Sequence, residues 1–306
     1  MNPRKFLRER LAAGRTVWGA GCYDALSAKL IEAAGFEAVL TSGFGISAAF
    51  LGKPDVELYT MTENLAVVRQ VVSTVNIPVI ADCDTGYGNA VNVMRTVREF
   101  EQAGVAGVIL EDQVVPKRCP AIANRVEVIP GAEGVAKIRA AVEARRDPDL
   151  IIIARTDADT EKEAIERAQA YVAAGADMVQ PISKTMKNKA MLKRFGQAAE
   201  RPVSLQVLGW LEKDLSPEDI SEIAGIAFFP LTALMTVAQA MMTNLKALRE
   251  SRTTRGLPLP LMDHKEFAEL LDFSAIQDVQ MRLLPEAADF MRLLPQTPGL
   301  AAKVAG

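Results

Sequence analysis

Asp82 and Asp84 stand two residues apart at the polar end of an apolar run (PVIADCD), with Cys83 between them. Alternate side chains of a strand share a face, so both carboxylates would look the same way and Cys83 the other. Glu111 ends a second such run (GVILED). If the two runs are neighbouring strands, three carboxylates face one small volume. Like charges at that density repel each other and are costly to desolvate. A divalent cation resolves this, and all-oxygen donors favour Mg2+ or Mn2+ over Zn2+. The alternative is that one or two of these carboxylates cap helices or pair with Arg155. His264 is the only histidine. A Ser-His-Asp triad would have to use it, and a multi-histidine zinc site is ruled out.

Other apolar runs also end in polar residues. Thr41-Ser42-Gly43-Phe44-Gly45 reads as a strand-to-loop turn whose backbone N–H groups can cradle a carboxylate or phosphate, or simply turn the chain. Arg155, in Arg155-Thr156-Asp157, suits a bidentate clamp on an anionic substrate or a salt bridge to the carboxylates. Pro116-Lys117-Arg118-Cys119-Pro120 opens a long loop running to about Gly131. Loops of that length in compact domains are often functional. Two cations beside Cys119 favour its thiolate and ready it for proton transfer, whereas Cys22 and Cys83 lack such neighbours and read as small core residues.

These groups need a scaffold, and the chain is long enough for a barrel of roughly 250 residues. Strands are expected at Thr16–Gly19, Ala38–Thr41, Pro78–Asp84, Gly107–Asp112, Leu150–Asp157, Met178–Ile182, Val203–Val207 and Ile226–Pro230. They alternate with helical patterns at Ala25–Ala34, Thr62–Thr74, Ala90–Ala103, Ala132–Arg145, Glu161–Ala174, Asn188–Ala199 and Pro217–Ala224. The strands are apolar at nearly every position, as in parallel sheets buried on both faces. Gly35, Gly104, Gly175 and Gly225 each follow an alanine just before a strand, where glycine can stop a helix. Eight such units predict a (β/α)8 TIM barrel, with active-site residues at the C-terminal ends of the strands. An open doubly wound sheet is the rival, weakened by the lack of G-x-G-x-x-G after the first strand and of any phosphate-binding G-x-x-x-x-G-K-[ST].

Residues 1–250 are expected to form the catalytic barrel, ending in a long helix over Leu231–Arg249. Residues 251–306 read as a C-terminal helical extension, with short helices around Pro285 and Pro295 packing on a neighbouring helix or subunit. A net charge of -3 with no basic block argues against nucleic acid as the main partner. No apolar run approaches the ~20 residues of a bilayer span. The charged N-terminus lacks a signal core, and three scattered cysteines make no disulfide framework, so a reducing cytoplasm fits best.

The stretches Gly21–Phe36, Thr41–Gly43, Leu51–Asp55, Ala81–Asn89, Glu111–Gln113, Pro116–Cys119 and Ile153–Asp157 together resemble the isocitrate lyase/phosphoenolpyruvate mutase superfamily, most nearly its 2-methylisocitrate lyase-like subgroup. The resemblance covers roughly residues 5–250. It implies a homotetrameric barrel with a C-terminal helix exchanged between paired subunits. It implies Mg2+ held directly by Asp82, with Asp84 and Glu111 acting largely through water. It implies a 2-oxo-acid carboxylate held by Ser42, Gly43 and Phe44, with Asp55 and Arg155 lining the pocket. Lys117 and Cys119 match the lyases' gating loop, whose cysteine gives the proton. Tyr23 and Asp55 are candidate bases. The implied activity is cleavage of a 2-hydroxy di- or tricarboxylate to a 2-oxo acid and a carboxylate. Oxaloacetate decarboxylation or hydrolysis, phosphonate-forming mutase chemistry and a catalytically impaired binding barrel are the alternatives.

The chain departs from the lyase pattern at four places. Pro120 and Ala121 replace the Gly-His that follows the loop cysteine, Ile182 stands about where the sixth strand offers glutamate, and Gln206 stands where the seventh offers asparagine. Proline stiffens the loop and the histidine's contact with substrate is lost, and the two strand-end departures fall on the distal side of the substrate. A different, less polar substrate is therefore expected.

Overall fold

Eight parallel strands close on themselves in chain order: β1 (Val17–Cys22), β2 (Ala38–Thr41), β3 (Val79–Asp82), β4 (Gly107–Glu111), β5 (Ile151–Thr156), β6 (Met178–Pro181), β7 (Val203–Gln206) and β8 (Ala224–Phe229). The ring shuts where β1 pairs with β8, Val17 opposite Ile226. Around it lie α1 (Pro3–Ala12), α2 (Ala25–Ala33), α3 (Gly43–Ile46), α4 (Met61–Thr74), α5 (Ala90–Ala103), α6 (Gly131–Ala144), α7 (Glu161–Ala173), α8 (Lys189–Ala199) and α9 (Pro217–Ile223). This is the expected (β/α)8 barrel. The computed structural model describes residues 2–119, 122, 126–182, 184–209 and 211–284. Pro120, Ala121 and the expected short helices around Pro285 and Pro295 lie outside the described residues.

Most barrel helices start on a side chain that accepts a hydrogen bond from their first turn: Asp24, Thr60, Asn89, Thr160, Asn188 and Ser216. Such caps satisfy donors that the helix leaves unpaired. Gly35, Gly104 and Gly175 stop α2, α5 and α7 with φ of 88°, 98° and 105°. Gly225 does not act this way. It lies inside β8, where close approach of Pro202 and Leu11 leaves no room for a Cβ.

The two uppermost layers of the barrel interior differ in character. Leu40, Ile80, Ile109, Ile153 and Met178 form a continuous buried apolar layer. Two residues further along each chain stand Ser42, Asp82, Glu111, Arg155 and Gln180, all buried. Period-two alternation thus turns an apolar layer into a polar one at the C-terminal end. The other end is closed by α1, whose Leu7 joins the interior cluster. Arg4 donates to the carbonyl of Val105 at 2.8 Å, and Arg8 to Asp177 at 2.8 Å.

Several element ends differ from expectation. β1 runs on to Cys22, three residues past the expected end at Gly19. β3 stops at Asp82, because Asp84 (φ 48°) and Gly86 (φ 86°) bend the chain into a turn closed by the Gly86 N–H on the Cys83 carbonyl. Asp84 therefore reaches the site from a turn, not from the face of a strand. Ser42–Gly45 is not an open turn either. Ser42 caps the short helix α3, which passes into a π-helical turn at Ser47–Leu51.

The chain divides into two units, Met1–Lys246 and Ala247–Gly306. Helix α10 (Thr232–Ser251) carries the chain across that division. The second unit also holds α11 (His264–Leu270) and α12 (Phe273–Leu283).

Candidate active site

At the C-terminal end of the barrel lies a cavity, partly open to solvent, whose polar lining includes Ser42, Asp55, Asp82, Cys119, Arg155 and Gln206. Leu40, Phe44, Ile182, Leu208 and Leu231 supply its apolar wall, and Lys184, from the chain after β6, lines it as well. Of the residues expected in the site, Glu111 and Lys117 sit directly behind this lining, ion-paired to Arg155 and Asp55, and Asp84 joins it through Lys117 and through its N–H on Asp82. Gly43 borders it too, since its N–H points at Asp82. Tyr23 is the exception. It packs against Gly45 at the end of β1 and does not line the cavity.

The carboxylates are buried and close together. Asp82 takes the Gly43 N–H at 3.3 Å and the Asp84 N–H at 3.1 Å on its two oxygens. Burial, and then Asp84 beside it, push its pKa up to about 6. Glu111 pairs with Arg155 at 2.7 Å, because β4 and β5 set the two residues in register. Burial still holds the Glu111 carboxyl well above the usual range, against the pull of Arg155. Asp55, from the chain before α4, is raised by burial and partly relieved by Lys117. Arg155 also donates to Asp157 at 2.9 Å, so it is both a cavity residue and the cation of a salt-bridge chain.

Lys117 is the centre of this arrangement. Its ammonium contacts Asp84, stands 3.1 Å from Asp55 and 3.9 Å from Glu111, and is buried. Burial opposes its charge, but Asp84, Glu111, Asp55 and Asp82 together hold its pKa well above that of an ordinary lysine. Its backbone N–H donates to Glu57, which also accepts from Thr85 at 2.7 Å. Cys119 is buried and faces the cavity. Cys22 and Cys83 belong to the apolar layer between strands and helices, where burial pushes both thiols up.

The donor set was tested against a divalent cation. Asp55, Asp82, Asp84 and Glu111 place four buried carboxylates beside two cations, Lys117 and Arg155. The buried oxygens of Asp55, Asp84 and Glu111 are met only by the ion pairs to Lys117 and Arg155. Four carboxylates against two cations leave surplus negative charge, which suits a hard cation. Among the described residues, however, no three Asp, Glu, Cys or His side chains converge as a ready ligand group. The set therefore fits an ion with few direct protein contacts and water in the rest of its shell, which is how Mg2+ commonly binds.

Some residues of the site carry no signal at their own positions. Asn64 on α4 donates to the Asp82 carbonyl at 2.9 Å and to the Tyr87 hydroxyl at 2.7 Å. Tyr87 in turn donates to Asp84 at 3.1 Å. Tyr59 buries its hydroxyl where a Cβ on Gly43 would come within 2.7 Å of it. Tyr87 lies inside a motif that already drew notice, but nothing in the helical pattern distinguishes Asn64 from a surface residue.

Residues 7–250 match the model of the phosphoenolpyruvate phosphomutase family. A 2,3-dimethylmalate lyase of Eubacterium barkeri is 40% identical over 285 residues, which cover 92% of this chain and 98% of that one. A 2-methylisocitrate lyase of Escherichia coli K12 is 34% identical, covering 89% of this chain and 93% of its own. Among solved structures, a phosphonopyruvate hydrolase in complex with oxalate and Mg2+ superposes with a TM-score of 0.83 at 33% identity, covering 93% of this chain and all of the other.

Proposed function

The chain belongs to the phosphoenolpyruvate mutase/isocitrate lyase superfamily, and from that premise we propose a Mg2+-dependent carbon–carbon lyase acting on an alkyl-bearing 2-hydroxy dicarboxylate. An alkylmalate suits the site better than a 2-methylisocitrate-like tricarboxylate. One observation carries this reading: the Cys119 thiol, the Asp55 and Asp82 carboxylates and an apolar wall meet in one cavity. The apolar wall, Ile182 included, suits alkyl groups, and a dimethylmalate is what the name of the Eubacterium barkeri relative specifies. The alternative worth testing is hydrolysis of oxaloacetate or of a phosphonate, favoured by the superposition on phosphonopyruvate hydrolase.

Asp82 would hold the ion directly, with Asp84 and Glu111 acting through water. Mn2+ would suit the same donors. Bound there, the metal supplies positive charge to the substrate oxygens on which negative charge develops. Ser42 and the backbone at Gly43 and Phe44 bind the carboxylate of the 2-oxo half, and Arg155 and Gln206 flank it. Asp55 takes the hydroxyl proton, with Lys117 holding it in place. Tyr23, outside the lining, is the weaker candidate base. As the C–O bond becomes a carbonyl, the neighbouring C–C bond breaks. Its electron pair moves onto the carbon beside the second carboxylate, and the Cys119 thiol protonates that carbon. Lys184 is placed to attract the second carboxylate. The products are one 2-oxo acid and one carboxylate.

The test is a panel assay with Mg2+ and 2,3-dimethylmalate, 2-methylisocitrate, citramalate, oxaloacetate or phosphonopyruvate, reading released pyruvate or glyoxylate alongside oxalate and phosphate. Pyruvate from an alkylmalate is the expected result. Oxalate or phosphate from the last two would establish the hydrolase reading. Binding of oxalate with no turnover of any compound would mean a barrel kept for binding.

The proposal extends to assembly and place. Residues 1–250 would form the catalytic unit. Residues 251–306 would pack on a neighbouring subunit of a homotetramer, with a helix exchanged within pairs. Met235, Met241 and Met242 on α10 and Phe273 and Ile276 on α12 are all about half exposed, which supports an interface. No helix among the described residues is long and apolar enough to cross a membrane. A reducing cytoplasm suits the free thiols.

A further inference from the structure

Behind the polar layer lies a second buried network that the proposed chemistry does not use. Asp112 follows β4, and its side chain is buried. One of its oxygens accepts the Asp157 N–H at 2.9 Å. The other accepts the Tyr171 hydroxyl at 2.7 Å and Arg167 at 3.3 Å. Arg167 and Tyr171 both stand on α7, in the outer ring. Arg167 also donates to the Ile129 carbonyl at 2.9 Å, the last turn of chain before α6.

The two ends of the β4–α6 connection meet at this point. The Ile129 N–H donates to the Asp112 carbonyl at 2.8 Å, and the Val114 N–H to Glu127 at 2.8 Å. Gln113 bridges antiparallel to Val128. The Arg118 N–H is held by the Gln113 side chain at 3.1 Å. From Asp157 the chain of bonds continues to Arg155 and then to Glu111. One guanidinium on an outer helix therefore holds both the root of the segment carrying Lys117 and Cys119 and, through Asp112 and Asp157, the orientation of Arg155.

We propose that Arg167, with Tyr171, is a positioning clamp that fixes the root of the Lys117–Cys119 segment and the setting of Arg155. It touches no lining residue of the cavity itself. Lysine cannot reproduce it, because a single ammonium lacks the planar fork that serves Asp112 and the Ile129 carbonyl together. Gly134, on the first turn of α6, belongs to the same device, since a Cβ there would run into the Tyr171 hydroxyl.

The kinetic half of the proposal rests on the lyase reading, and the structural half does not. Trypsin can cut after Lys117, whose side chain is buried, only when that segment opens, and the rate of that cut follows the population of the open form. In Arg167→Met the cut should quicken about tenfold, the loss of roughly one charge-assisted hydrogen bond. Arg167→Lys should fall between it and the wild type. Tyr171→Phe and Gly134→Ala should quicken it less, and they decide the question if Arg167→Met does not fold. Cleavage at the wild-type rate in Tyr171→Phe, Gly134→Ala and any folded Arg167 variant overturns the clamp. If the panel assay finds a substrate, Arg167→Met should lower kcat about tenfold with KM within about twofold, because proton delivery suffers while Arg155 keeps its ion pair to Glu111. Equal loss in kcat and 1/KM would return Arg167 to a structural role. An inactive wild type would remove the lyase reading and leave the tryptic result standing.

Discussion

Residue-level chemistry in this site turns on one thiol, one lysine and one aspartate. Cys119→Ser keeps the size of the side chain and raises its pKa far above that of a thiol. On the proposed reading, alkylmalate cleavage should fall by at least about a hundredfold, the usual contribution of a positioned proton donor, while oxalate binding stays as it was. Full activity in that variant would remove Cys119 as the donor. Lys184→Met tests the distal half. It should raise KM for a dicarboxylate about tenfold, the loss of one ion-paired hydrogen bond, and leave the inhibition constant of oxalate unchanged, because oxalate is too short to reach that side. An unchanged KM would mean that Lys184 merely borders the cavity. Asp82→Asn separates metal binding from folding. Taking a charge out of a crowd of buried carboxylates relieves repulsion and offsets the one backbone N–H bond that asparagine cannot accept, so the metal-free variant should melt close to the wild type. Added Mg2+ should raise the melting temperature of the wild type only, as binding to the native state requires. A Mg2+ gain of equal size in Asp82→Asn would place the ion elsewhere.

Strands and helices explain why part of this site was readable and part was not. A parallel strand buried on both faces writes its end into the sequence, because the apolar run has to stop where polar side chains begin. Asp82, Glu111 and Arg155 were therefore legible as converging groups, and strict βα alternation was enough to expect a barrel. Asp84 reaches the site by a route that strand alternation does not predict. Its approach through a left-handed turn depends on Gly86 and on a hydrogen bond to Cys83, neither of which alternation reveals. Ser42, expected in a turn, caps a helix. Asn64, Tyr59 and Arg167 reach inward from the outer ring, where a single polar residue resembles any solvated one until its partner from another strand is known. The cover of the N-terminal mouth is also hard to read, since α1 is short and half of its residues are charged. Its one fully buried side chain, Leu7, joins the barrel interior. Leu7→Ala should therefore cost about 3 kcal/mol, in the range for a buried leucine truncated to alanine, measured as a shift of the urea midpoint at constant slope. A cost near zero would mean that the mouth re-closes without it.

Whole-molecule behaviour is set by what the barrel leaves uncovered. Every other long helix of the first unit has buried residues, whereas α10 has none along its twenty positions. Met235, Met241, Met242 and Leu245 are 48–56% exposed, and Met242 and Leu245 lie three apart, on one side of the helix. Apolar side chains gathered in this way on a helix with no buried residue mark a contact surface. The proposed homotetramer would cover them, and four chains of 33.1 kDa should then elute together, with the mass read by light scattering. Replacing both Met242 and Leu245 with glutamate puts like charges opposite each other at any two-fold contact and desolvates them on association, which costs more than the apolar contact returned. The double variant should shift to dimers or monomers while its circular dichroism stays that of the parent, because neither side chain is buried within the chain. A variant that remains tetrameric would place the subunit contacts on another face, and a wild type that runs as a monomer would leave the exposed methionines to be explained by a different partner.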